Sequence, residues 1–166
     1  VARGVAVSWL GTRRGLEAHV VPAAGYPLET MRVSGLRGKG VLRQLLAPLM
    51  LLMALLQALV ILLRLRPRAV LGMGGFASGP GGLIAWLLRR PLLIHEQNSV
   101  AGMTNRWLAP LARTVMEAFP GSLPEKYRPL HTGNPVRREI TRLPEPAERL
   151  AQRQGALRVL VIGGSL

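Results

Sequence analysis

Gly72-Met-Gly-Gly-Phe-Ala-Ser-Gly-Pro-Gly-Gly82 follows the apolar run Ala69–Leu71 and leads into a helical pattern. A second stretch, His95-Glu-Gln-Asn-Ser-Val-Ala-Gly-Met-Thr-Asn-Arg106, does the same behind Leu92–Ile94. The order strand, polar loop, helix places both loops at the carboxyl ends of neighbouring parallel strands, where open α/β sheets bind their ligands. Glycine lets the backbone approach a ligand closely and leaves amide N–H groups for phosphate oxygens. One Gly-rich loop alone is as readily a tight turn. Two on the same sheet edge, the second carrying His95, Glu96, Gln97 and Asn98 in succession, point to a site.

Outward from these loops, apolar runs and helical patterns alternate. Strands are expected over Val5–Leu10, Leu28–Val33, Ala69–Leu71, Leu92–Ile94, Thr114–Ala118 and Leu130–Thr132. Helices are expected over Gly15–Val21, Val41–Arg64, Pro80–Leu88 and Ala101–Leu108. Strands separated by helices make an α/β fold, a Rossmann-like parallel sheet with flanking helices. Residues 1–142 read as most of one domain, 143–156 as a polar, Pro-bearing linker or surface helix, and 157–166 as the first strand and Gly loop of a second. No initiator Met precedes the first strand, and a strand leading into Gly163-Gly164-Ser165 opens a βα unit, so the chain reads as a fragment.

The formal net charge of +14 calls for an anionic partner or surface. The aromatic residues are dispersed instead of interleaved with the basic ones, and no nucleic-acid-binding signature is present. Anionic lipid or a phosphorylated substrate accounts for the charge, and no nucleic acid is expected as partner. There is no cysteine, hence no disulfide, thiolate site or cysteine nucleophile. His19, His95 and His131 have no metal-ligand spacing, so neither metal nor cofactor is expected.

Leu45–Leu63 carries no charge, about 28 Å of helix at 1.5 Å per residue. By length it is a candidate span. A single span, however, would separate the Val5–Leu10 strand from the Ala69–Leu71 strand, and no second crossing follows before Ala69. Arg43, Ala47, Ala54, Gln57 and Arg64 share one narrow stripe, and the rest of the circumference is apolar. Three readings stand: a span, a buried core helix, or a core helix whose apolar flank, beside Arg37, Lys39 and Arg43, dips into an anionic interface.

The two loops, with Ser34-Gly-Leu-Arg-Gly-Lys-Gly40, Gly133-Asn-Pro-Val-Arg137 and Val161-Ile-Gly-Gly-Ser165, resemble the MurG family in the family's order from the first strand onward. These are peptidoglycan N-acetylglucosaminyltransferases of the two-domain GT-B fold. The resemblance implies transfer of N-acetylglucosamine from UDP-N-acetylglucosamine to undecaprenyl-diphosphate-linked muramoyl-pentapeptide. It implies a peripheral place on the cytoplasmic face of the bacterial plasma membrane. It also implies that a strand, a Gly-Gly-Thr-Gly-Gly-His loop and a helix lie outside this chain. The histidine discussed as the family's base belongs to that loop, so neither His95 nor His131 inherits its role. Phe76 stands where the family has Tyr, and Leu166 where Gln is usual.

On that resemblance, backbone N–H groups of Gly74, Gly75 and Phe76 at a helix N-terminus hold the acceptor diphosphate. Ser78 adds a hydroxyl or caps the helix expected from Pro80. Asn98 lies in the substrate cleft, Glu96 orients a neighbour or accepts a proton, and Arg137 and Ser165 contact the nucleotide-sugar donor. The alternatives are another nucleotide-sugar GT-B enzyme or a non-enzymatic basic protein that binds membrane or nucleic acid. A dinucleotide dehydrogenase would place an acidic residue about 20 residues beyond the first glycine. Arg89, Arg90 and His95 stand there instead.

Overall fold

The computed structural model describes residues 4–13, 15–32, 41–151, 155, 156 and 159, with backbone alone for residues 41–46. The expected basic loop Gly35–Gly40, and Ser165 with most of the strand expected over 157–162, lie outside the described residues. Contacts group the chain into two units, residues 1–134 and 135–166.

The first unit is α/β with parallel strands throughout. In order it contains β1 (Trp9–Thr12), α1 (Glu17–Ala23), β2 (Leu28–Met31), α2 (Val41–Leu65), β3 (Val70–Gly72), α3 (Gly75–Leu87), β4 (Leu92–Glu96), α4 (Met103–Leu108), β5 (Thr114–Glu117) and β6 (Leu130–His131). Where one sheet is expected, the described residues form two: β1 pairs with β2, and β3, β4, β5 and β6 pair in that order. β1 and β3 are not paired, yet α3 packs over both. Two apolar clusters, one around Met31, Ala58, Ile61 and Ile84 and the other around Leu92, Ile94, Leu108 and Val115, meet at Val70.

β1 begins at Trp9, four residues later than expected, because pairing rather than apolar character sets its register. Trp9 lies opposite Leu28 and its N–H donates to the Pro27 carbonyl at 2.9 Å, whereas Val5 and Val7 stay exposed. α3 begins at Gly75, not at Pro80. A proline at N1 is a good start signal, but here the turn is set upstream by Gly74 and Gly75, at φ +79° and +77°. The other glycines of α3 serve close packing. A Cβ on Gly81 would lie 2.8 Å from Leu10 Cδ2, and one on Gly82 would lie 2.7 Å from Leu108 Cδ1.

α2 packs on α3 and β2. Its inward face is small, with Ala54 and Ala58 fully buried beside Ile61 and Leu62. Ala54 therefore belongs to the packed face and not to a polar outer stripe. Gln57 accepts from the Arg32 N–H at 2.7 Å and Arg64 pairs with Glu29, so the polar positions of α2 fasten it to β2. Other apolar residues point outward: Leu49, Leu52, Met53, Leu56, Val60 and Leu63 are all exposed. The helix is long and apolar enough to cross a membrane by length and composition, and 22% of that window is buried.

The second unit contains α5 (Arg138–Thr141) and α6 (Pro146–Ala151), both exposed. α6 lies within residues 143–156, expected from the sequence as a linker or surface helix.

Candidate functional site

β3 and β4 are neighbours, so the loops that leave their carboxyl ends sit side by side. Gly74 caps α3 without any side-chain hydrogen bond. The N–H groups of a first helical turn have no partner within the helix, and those of Gly75, Phe76 and Ala77 occupy that turn. Nothing lies within 4 Å of where a Gly75 Cβ would stand. Phe76 and Ser78 are half-buried. Ser78 falls inside the first turn of α3 and not at a cap: its hydroxyl donates to the Gly74 carbonyl at 2.5 Å. That proton is committed to shaping the loop.

The Glu96 side chain is the anchor of the second loop. It ends β4 at 1% exposure. Oε1 accepts from the Asn98 backbone N–H and from Asn98 Nδ2, each at 3.0 Å. Oε2 accepts from the Gly102 N–H at 3.0 Å and from Asn105 Nδ2 at 2.8 Å. Burial pushes this carboxyl up, but the hydrogen bonds from Asn98, Asn105 and Gly102 favour the ionised form and outweigh it, so its pKa lies below the ordinary value. A carboxylate so depressed and fully engaged is a poor proton acceptor. Of the two roles expected for Glu96, the geometry serves orientation. Asn98, itself exposed, is held through both its backbone and side-chain donors.

His95, 6% exposed, ties this loop to the exit of β6. Its Nδ1 accepts from Gln97 Nε2 at 3.0 Å, which leaves Nε2 as the protonated nitrogen, donating to the Gly133 carbonyl at 3.0 Å beside Thr132 Oγ1. Asn134 Nδ2 donates to the Gln97 carbonyl at 3.1 Å. His131 Nε2 donates to the Ala118 carbonyl at 3.0 Å. Both histidines serve loop architecture here. Among the described residues no group of histidine, aspartate or glutamate could hold a metal ion.

Sequence reasoning passed over Thr104 and Asn105, which join the two loops. Thr104 Oγ1 donates to the Gly75 carbonyl at 3.2 Å. Asn105 Nδ2 donates to the His95 carbonyl as well as to Glu96, and its amide lies against Gly74. Asn105 is 1% exposed and its Oδ1 makes no hydrogen bond. The signal was available: an Asn three residues before Leu108, on the inward side of α4, needs polar partners. The structure thus brings together Gly74, Gly75, Phe76, Ser78, Glu96 and Asn98. Arg137 belongs to the second unit, exposed at the N-cap of α5.

Residues 1–117 match the model of the glycosyltransferase family 28 N-terminal domain. The chain is 63% identical, over 164 residues, to the UDP-N-acetylglucosamine--N-acetylmuramyl-(pentapeptide) pyrophosphoryl-undecaprenol N-acetylglucosamine transferase of Alkalilimnicola ehrlichii, covering 99% of this chain and 46% of that protein. It is 60% identical, with the same coverage, to the transferase of that name from Nitrosococcus oceani. Among solved structures, Acinetobacter baumannii MurG matches with a TM-score of 0.69 and 42% identity, over 84% of this chain and 40% of that one. The chain spans a little under half the length of these relatives.

Proposed function

Because this chain belongs to glycosyltransferase family 28, we propose that it is the acceptor-side part of an enzyme that transfers N-acetylglucosamine from UDP-N-acetylglucosamine to undecaprenyl-diphosphate-linked muramoyl-pentapeptide. A muramoyl hydroxyl attacks the anomeric carbon of the donor sugar, and UDP leaves with the bonding electron pair. The hydroxyl's proton goes to a base that we assign to no residue of this chain. Residues 1–142 form the acceptor domain, 143–156 the connection and 157–166 the opening of the donor domain.

The observation that carries the site assignment is the uncapped start of α3, with Gly74 and Gly75 at positive φ and open space in front of Gly75. Aligned N–H groups at the positive end of a 13-residue helix suit a diphosphate. Gly74, Gly75 and Phe76 supply the amides, and Ser78 holds the Gly74 carbonyl back from the anion. Glu96 positions Asn98, and on the family resemblance Asn98, Arg137 and Ser165 are each assigned to binding of UDP-N-acetylglucosamine. The exposed leucine flank of α2 rests on the cytoplasmic face of the plasma membrane, where the lipid-linked acceptor lies.

The test is turnover by the full-length enzyme of UDP-N-acetylglucosamine on a prenyl-diphosphate-linked muramoyl-pentapeptide, with the disaccharide product read by mass spectrometry. Failure to form it, in a folded enzyme that binds the donor, overturns the reading. Carbonate at alkaline pH is expected to strip the enzyme from membranes. Retention through that wash would make α2 a span.

A further inference from the structure

His95 and Gln97 have no part in either substrate role assigned above, yet both reach across the sheet. β5 lies between β4 and β6, and His95, Met116 and Leu130 stand in one row of the register. From that row the His95 imidazole spans to the chain leaving β6, where Nε2 donates to the Gly133 carbonyl at 3.0 Å. Gln97 braces the link. Its Nε2 donates to His95 Nδ1 at 3.0 Å and to the His95 carbonyl at 2.8 Å. Its own carbonyl accepts from Asn134 Nδ2 at 3.1 Å.

The segment held in this way has little else to hold it. β6 is two residues long and exposed along its length. Thr132 and Asn134 are exposed too, so burial contributes little there. The backbone adds one bond, from the Thr132 N–H to the Glu117 carbonyl at 2.9 Å. Gly133 then turns at φ +68°, and Pro135, which has no N–H to donate, begins the second unit. The fixed point of this exit is a buried imidazole, 6% exposed, that belongs to another strand.

We propose that His95, Gln97 and Asn134 are positioning residues, a clamp that fastens the start of the connection to the loop carrying Asn98. Asn98 follows Gln97 directly, and Arg137 lies three residues beyond Asn134. The two ends of the clamp therefore lead into two of the groups assigned to the donor. With the clamp closed, the conformational freedom of residues 132–134 is lost once, on folding. With it open, that freedom is lost each time the donor binds, and donor affinity falls. The inference rests on the donor roles proposed for Asn98 and Arg137, and adds the device that sets where their two segments start.

The test uses the full-length enzyme, with KM for UDP-N-acetylglucosamine and for the acceptor measured separately in H95L, H95Q, N134A and S122A. Leucine fills the place of the imidazole without a donor, whereas glutamine can present its Nε2 to the Gly133 carbonyl. S122A is the control: it removes a bond of the neighbouring loop, from Ser122 Oγ to Glu117 at 3.0 Å, and leaves the clamp whole. H95L and N134A are each expected to raise the donor KM roughly two- to tenfold, the range for one net hydrogen bond, and to leave the acceptor KM unchanged. H95Q recovers most of the loss. H95L/N134A raises the donor KM by less than the product of the single effects, because the two residues belong to one network. Hydrogen exchange over Leu130–Arg137 is expected to quicken in H95L and N134A, and to slow again when UDP-N-acetylglucosamine is added.

An unchanged donor KM in both single variants, or an equal rise in the two KM values, overturns the clamp. So does a matching rise in S122A, or an H95Q that behaves as H95L does. Where H95L fails to fold, the exposed Asn134 carries the same test through N134A. R137A separates this inference from the donor assignment beneath it. A donor KM untouched by R137A but raised by H95L and N134A keeps the clamp, acting through Asn98, and removes Arg137 from the donor site.

Discussion

Replacing Glu96 by Gln in the full-length enzyme tests the anchor of the second loop. The carboxylate accepts four hydrogen bonds through two oxygens, and both are buried. Gln offers one oxygen. If it keeps the two Asn98 donors, its NH2 group faces the Gly102 N–H and Asn105 Nδ2. Asn105 retains the His95 carbonyl, but the Gly102 N–H is left without a partner. One stranded, part-buried donor falls at the low end of about 1–3 kcal/mol, and the surviving bonds lose their charge assistance. The expected loss is about 2–4 kcal/mol, a large fraction of the 5–15 kcal/mol typical of a domain.

Equilibrium denaturation at neutral and acid pH measures this loss. The folded-state pKa of Glu96 is lowered, so its contribution is present above the unfolded value of about 4.5 and is lost as pH falls through the depressed folded value. The gap between wild type and E96Q therefore narrows in acid, where protonated Glu96 becomes the near-isostere of Gln. Glu17 is lowered too: burial raises its pKa, but hydrogen bonds from Thr12 outweigh that. Being common to both proteins, it cancels in the difference. A gap under about 0.5 kcal/mol at pH 7, the scale of a neutral surface change, would refute the anchoring argument. So would a gap that stays constant down to acid pH.

Three further outcomes are expected. G75V places a β-branched residue at φ +77° with open space around its Cβ, so the cost is backbone strain, about 1–3 kcal/mol, and the acceptor KM rises while the donor KM holds. Steady-state kinetics showing the reverse would move the diphosphate away from α3. On the donor role proposed for Arg137, R137A removes a charge-assisted contact worth about 1.5–3 kcal/mol and weakens donor use roughly ten- to hundredfold. An effect confined to the acceptor would show that Arg137 is misassigned. G82A puts a Cβ 2.7 Å from Leu108 Cδ1, and since Leu108 is itself buried, overpacking costs about 1–3 kcal/mol. An unchanged melting temperature in a thermal-shift assay would mean that Leu108 has room to yield.

The α/β class, the parallel direction of the strands and the edge that carries the loops were legible from residues alone. Each rests on local order: an apolar run, a glycine-rich turn and then a helical pattern leave few ways to connect the strands. Glu96 and Asn98 were legible as members of the polar loop that leaves β4, but the hydrogen-bonding relation between them was not. Whether a carboxylate is a base or an anchor depends on how many donors surround it, and two of these, the Gly102 N–H and Asn105, come from six and nine residues further along the chain. Thr104 and Asn105 were overlooked for the same reason, since their partners in the Gly74–Gly75 turn are about 30 residues away.

The composition of α2 announced an apolar helix but not which side of it is buried. Ala54 and Ala58 are the residues that let α2 approach the body closely, whereas Leu49, Leu52, Leu56 and Leu63 remain outside. Hydropathy alone would have turned the leucines inward. The start of β1 was likewise decided by pairing: Val5 and Val7 have strand-forming side chains, but only from Trp9 onward does β2 offer a register. Sequence determined what each segment prefers by itself. Tertiary structure decided which preferences are satisfied, because burial and hydrogen bonding are shared between segments distant in the chain.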